Sequence, residues 1–229
     1  MHRLGTLLAV MVVILAGLVL IPNDARAADP VVTFQSVASG SVSCSTTCGF
    51  GAITVSGTDT IVIMTTFFTG QSTSGAWVTG ATLGGTTMTQ LANYSLSGDG
   101  RYSQFYMFYL TNVAVGTPSG GVTVTTSLGS IFWIFSMESF SNVNTASPFA
   151  QTAVTATGTT QTTYSVTFPS TPGANGLLVD ELAITCGTVC GGVPNAGTAG
   201  GSQTQRWSKF QSTEYGQGST LPGGSTATM

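Results

Sequence analysis

Catalysis needs groups that titrate, attack or coordinate, and from Ala28 onward this chain carries few of them. His2 is the only histidine in the 229 residues. Neither a Ser-His-Asp triad nor a Cys-His pair can therefore be assembled from residues 28–229. That stretch has three cations, Arg101, Arg206 and Lys209, against seven anions, Asp29, Asp59, Asp99, Glu138, Asp180, Glu181 and Glu214, a balance of −4. Hydrolysis by a carboxylate pair needs two acids facing one cleft. Asp180 and Glu181 are adjacent, and in a strand adjacent residues point to opposite faces; the other acids are scattered. The chain reads as no enzyme, with a hydrolase built from distant acids as the remaining catalytic alternative.

The cysteines form two pairs of identical spacing, Cys44-x3-Cys48 and Cys186-x3-Cys190. Zinc sites favour closer pairs and often include histidine. An even cysteine count in an exported chain points instead to disulfides. Glycines flank both pairs, which marks loops and favours local pairing, 44–48 with 186–190; a cross-link between the loops is the alternative. No metal site is expected, although calcium, which accepts backbone carbonyls beside carboxylates, could draw on Asp99 in its turn or Asp180 near a strand end. No other cofactor is expected.

Aromatic rings offer a different chemistry, since sugar-binding modules stack flat rings on exposed Trp or Tyr. Trp77, after Ser74-Gly75-Ala76, and Trp207, between Arg206 and Ser208, are the candidates, with Tyr102 beside them. The competing reading is that Trp77 and Trp207 cap the rim of the core, which the usual burial of large aromatics favours. The mild acidity argues against nucleic acid, which demands clustered Lys and Arg.

Residues 1–27 have the form of an export signal. His2 and Arg3 precede an apolar run from Leu4 to Ile21, Pro22 ends it, and Ala25-Arg26-Ala27 supplies a small-x-small cleavage pattern. Cleavage there leaves 28–229 as a secreted or cell-surface chain with no membrane segment. An uncleaved anchor is the alternative, the run being at the lower edge of what spans a bilayer.

After the leader, short β-branched and aromatic runs recur between Gly, Ser, Asn and Pro, with no helical period. The pattern predicts strands at Val31–Val37, Ile53–Ser56, Thr60–Thr69, Trp77–Leu83, Thr86–Leu96, Tyr102–Thr111, Gly121–Ser127, Ile131–Phe140, Thr152–Thr157, Thr162–Phe168, Leu177–Thr185 and Gln203–Phe210. Gly84-Gly85 reads as a tight hairpin turn, and Gly187–Ser202 as a surface loop. Tyr102–Leu110 and Ile131–Met137 are apolar on both alternating faces and belong inside a sheet, whereas Gly121–Ser127 alternates cleanly and should have one wet face. The expected fold is an all-β, two-sheet antiparallel sandwich, jelly-roll or immunoglobulin-like, in a single domain over 28–229.

Several segments together resemble an exported bacterial β-sandwich domain family of surface and secreted proteins. Val78–Thr89 is similar to its "V-x-x-V-T-x-G-G-x-x-M/L-T" hairpin, Phe108-Tyr109-Leu110 to its "x-Y-L" strand, and Phe140-Ser141-Asn142-Val143 to its "F-S/T-G-V" corner. Leu177-Leu178-Val179-Asp180 resembles its "D-L-V-V-D" strand, and Gln203–Trp207 its "Q-T-x-R-W" strand. The likeness covers about residues 31–229 in order and departs at Asn142, where the family usually has Gly, and in the two cysteine loops. It implies fold and location and transfers no site residue. The function these observations point to is a non-catalytic extracellular module for adhesion, surface assembly or spacing. A carbohydrate-binding module is the rival, and the partner is an extracellular protein or glycan. The ending Ser225–Met229 alternates like the beginning of a strand, so the domain is expected to be truncated at its C-terminal strand or strands, beside an open edge or apolar groove.

Overall fold

The computed structural model describes residues 12–20, 30–71, 77–98, 101–118, 121–127, 131–157, 174–185, 203–211 and 214–222. Among them are fourteen strands and no helix, and every strand pair is antiparallel. The chain is all-β, with antiparallel sheets packed face to face. Sheet A carries β11 (Gln151–Thr157), β1 (Val12–Leu20), β12 (Leu177–Thr185), β14 (Glu214–Pro222) and β13 (Thr204–Gln211), in that order. Sheet B carries β2 (Thr33–Cys44), β10 (Ile131–Ser141), β4 (Ile61–Gln71), β8 (Arg101–Thr111) and β7 (Thr89–Gly98). The smaller sheet C carries β3 (Thr47–Gly49), β9 (Val122–Thr126), β5 (Val78–Leu83) and β6 (Thr86–Thr87).

Sheet B is the middle layer, and its interior strands are apolar on both faces because each face meets another sheet. Ile61, Ile63 and Phe67 of β4, with Phe105 and Met107 of β8, join Val179, Ala183 and Trp207 in one core against sheet A. The alternate residues Val62, Met64 and Phe68, with Tyr106 and Phe108, join Val78, Val122 and Val124 in a second core against sheet C. Strands β8 and β10 are interior to their sheet, as their two-sided apolar pattern requires. The outer side of sheet C, by contrast, is exposed at Thr47, Thr79 and Thr125, a hydroxyl-coated face.

Local chemistry fixes the turns. Gly84 and Gly85 both have positive φ (57° and 82°) and close the hairpin between β5 and β6, the primed-turn geometry that needs no Cβ. Asn142 also has φ of 59°; Asn tolerates this region, and its side-chain amide donates to the Val31 carbonyl at 3.2 Å.

Four features differ from the sequence pattern. Three sheets form instead of two, because the middle sheet buries both faces. Ile53–Ser56 is no strand but a buried loop with a single bridge from Val55 to Gly116. Residues 214–222, rich in glycine, form an interior strand. Val12–Leu20, within the apolar run from Leu4 to Ile21, is a strand between β11 and β12. The predictions for Thr162–Phe168, Gly187–Ser202 and Thr226–Met229 lie outside the described residues.

Candidate functional site

The residues with the strongest chemical potential meet between sheets A and B. Along β10 the residues Ile134, Ser136, Glu138 and Phe140 share one face, and Ile134 and Phe140 lie in the core against sheet A. Along β12 the residues Leu177, Val179, Glu181 and Ala183 face back toward sheet B. Glu138 and Glu181 therefore enter the same interface from opposite sheets, both 0% exposed. Asp180 points the other way, as strand alternation demands, and is 1% exposed.

Strand β13 completes the cluster through an irregularity. The register shifts between Gln205 and Trp207, leaving Arg206 as the extra residue. Arg206 Nε donates to Thr220 Oγ1 at 2.7 Å, and its guanidinium lies 4.1 Å from the centre of the Phe34 ring. Trp207 lies over β14, whose glycines make the room. A Cβ on Gly216 would sit 2.7 Å from Trp207 Cη2 and 2.9 Å from Phe67 Cε1, and one on Gly218 would sit 2.9 Å from Glu181 Oε1. Trp207 Nε1 donates to Glu181 Oε1 at 3.3 Å.

The electrostatics follow from burial. Neither oxygen of Glu138 has a hydrogen-bond partner among the described residues, and Glu181 Oε2 has none either. An ionised carboxylate buried without a partner costs several kcal/mol, so such a group keeps its proton. Burial, reinforced by the Asp180 charge and opposed by Arg206, pushes the Glu138 carboxyl up to about 8. Burial and then repulsion from Glu138 hold Glu181 well above the usual range, with the Trp207 bond opposing. Asp180 rises less, to about 6, because the Ser219 amide (3.0 Å), the Ser219 hydroxyl (2.5 Å) and the Gln203 side chain donate to its carboxylate against the effect of burial. Burial lowers Arg206, with Glu138 opposing.

Two neutral carboxyl groups can donate protons but cannot act as nucleophiles. A raised acid in a cleft is the pattern of a general acid. Glu138 and Glu181, however, are both 0% exposed, within the core between sheets A and B. Glu138 was the site member missed from the sequence. Its signal was parity: it occupies the same face as Ile134 and Phe140 in a strand apolar on both sides.

Both tryptophan candidates follow the core-rim reading. Trp77 is 6% exposed and packs against Phe68 at 5.4 Å between ring centroids, while its backbone amide donates to Tyr106 Oη at 3.2 Å. Trp207 is 5% exposed. Neither presents a ring face to solvent, because each fills a core at the place where a strand enters it. Tyr102 is half-buried and meets Trp77 edge-on, 6.4 Å between centroids. Asp180 spends its carboxylate on Ser219 and Gln203 rather than facing solvent, and Asp99 lies outside the described residues. Among the described residues no three His, Cys, Asp or Glu side chains are grouped to hold a metal ion. Cys44 and Cys48 are disulfide-bonded, with 5.4 Å between their Cα atoms, and tie the end of β2 to β3; Cys186 and Cys190 lie outside the described residues. A surface groove of 430 Å³ runs between the Gly84 turn and the Asn112–Pro118 segment, and no titratable side chain lines it.

Comparison with protein-family models, with curated proteins and with solved structures finds no match to this chain.

Proposed function

We propose that this chain is a non-catalytic extracellular β-sandwich module for adhesion, surface assembly or spacing, exported by its leader. The observation that carries the reading is how the scarce reactive groups are used. Glu138, Glu181, Trp77 and Trp207 are all buried, and the acids and Trp207 lie between sheets A and B. The hydroxyl-coated outer face of sheet C and the Cys44–Cys48 bond also suit an oxidising exterior.

The test pairs localisation with a broad activity screen. Expressed in a bacterial host, the chain should reach the medium or cell surface. The purified protein should turn over no ester, glycoside or peptide substrate. Turnover abolished by Glu138→Gln or Glu181→Gln would overturn the reading, as would retention in the cytoplasm.

A further inference from the structure

Sheet A is complete only while Val12–Leu20 stays in it. The strand is paired on both sides, with all nine residues opposite Thr185–Leu177 and seven of them, Val13–Val19, opposite Thr157–Gln151. Both neighbours run antiparallel to it, so β11 and β12 are parallel to each other and one strand apart, about 10 Å between axes. The same residues form the apolar run of the leader, upstream of Ala25-Arg26-Ala27. A chain that begins at Ala28 keeps β11 and β12 and loses what lies between them.

The resulting gap lies beside the interior strand β12, one strand in from the rim, and leaves the edge strand β11 without its ladder partner among the described strands. With β1 seated, Leu178, Val179, Asp180 and Glu181 of β12 are at most 1% exposed. Backbone N–H and C=O groups left unpaired there are destabilising. Strand addition satisfies such groups with main-chain bonds and takes its specificity from the alternating side chains of the incoming segment.

We propose that the processed chain is a strand acceptor: the slot between β11 and β12 binds an extended, uncharged, apolar segment of a partner polypeptide, running antiparallel to both strands. The proposal rests on the exported, processed state proposed above. The seated segment is the template for the ligand. In Val-Val-Ile-Leu-Ala-Gly-Leu-Val-Leu the one pair of small residues is Ala16-Gly17, and the register sets Ala16 opposite Glu181 and Gly17 opposite Asp180. Directly opposed residues of an antiparallel pair share a face, so a donor needs small residues at those two positions and branched apolar ones around them. The buried acids thereby fix the register of the incoming strand.

The experiment uses the secreted chain. Mass spectrometry reads its N-terminus, and hydrogen exchange follows the Leu177–Thr185 amides. The probe is a synthetic Val12–Leu20 peptide with two lysines at each end for solubility. The expected result is an N-terminus at Ala28, fast exchange in β12, and at least tenfold slowing on adding the peptide. A peptide with leucine at both central positions should bind roughly tenfold more weakly. If the processed chain is unfolded alone, the peptide should restore a cooperative unfolding transition. A processed chain that gives neither response overturns the slot while leaving the exported reading intact. Protection of β12 without peptide overturns it equally, whether from closure of β11 onto β12, a second copy, or the chain's own C-terminal residues. An N-terminus still at Met1 overturns both.

Discussion

Replacing Glu138 with glutamine should remove a measurable part of an unusual dependence of stability on pH. The unfolded chain protonates this carboxyl near 4.5, whereas the folded chain holds the proton to about 8. Between those values the native state binds more protons than the unfolded state, so stability falls as pH rises. The contribution is fully present below pH 4.5 and is lost as pH climbs through 8. Over that interval each pH unit changes the unfolding constant by up to tenfold, so the climb from 4.5 to 8 sets a ceiling of roughly 5 kcal/mol. That is comparable with the whole stability of many domains. Glu181 and Asp180, both raised, act in the same direction. Urea unfolding at pH 5, 6.5 and 8 measures this directly, with a constant slope against denaturant certifying that one transition is compared. The wild type should lose at least about 2 kcal/mol from pH 5 to 8. Glu138→Gln should match it near pH 5, exceed it at pH 8, and flatten the curve further because Glu181 loses its repelling neighbour. Wild-type stability that is flat or rising over this range would refute the reasoning, as would an unchanged pH dependence in the variant.

Tyr106→Phe removes the hydroxyl that accepts from the Trp77 and Val78 amides at 3.2 and 3.3 Å; leaving both unpaired should cost about 1–3 kcal/mol, read by urea unfolding. Gly216→Ala drives a methyl against Trp207 and Phe67 and should destabilise by about 1–3 kcal/mol in thermal unfolding, while Gly49→Ala, with open space at that position, should cost under about 1 kcal/mol. Replacing Cys44 and Cys48 together with serine opens a loop of sequence separation 4 and should cost about 2 kcal/mol on the chain-entropy account. Trp207→Phe deletes the indole donor to Glu181 and should hold that carboxyl protonated to higher pH than in the wild type, read from its carboxyl carbon NMR signal.

The sequence made the all-β class legible because its runs were short, alternating or doubly apolar, and bounded by turn residues. Leu177–Thr185 matches to the residue, and the Gly84-Gly85 turn sits where consecutive glycines permit positive φ. Strand 214–222 was hidden because its glycines look like loop punctuation; only the Trp207 ring lying across Gly216 and Gly218 explains them. Ile53–Ser56 looked like a strand from its apolar alternation, yet that burial serves a loop packed under sheet B. The acid cluster was half visible. Opposite facing of Asp180 and Glu181 follows from alternation, but the meeting of Glu138 with Glu181 depends on which two sheets pack, and one-dimensional spacing does not encode that. For Trp77 and Trp207 the sequence left two readings open and favoured the core rim, because a Trp at a loop–strand junction looks the same in sequence whether it faces solvent or closes a core; both are buried.

Glu138 and Glu181 are sealed between sheets A and B as neutral acids. Carboxyl carbon NMR of protein labelled at glutamate, followed from pH 4 to 9, observes this directly. Two glutamate signals, one missing in Glu138→Gln and the other in Glu181→Gln, should remain protonated at pH 7. All glutamates titrating below pH 5 would contradict the account.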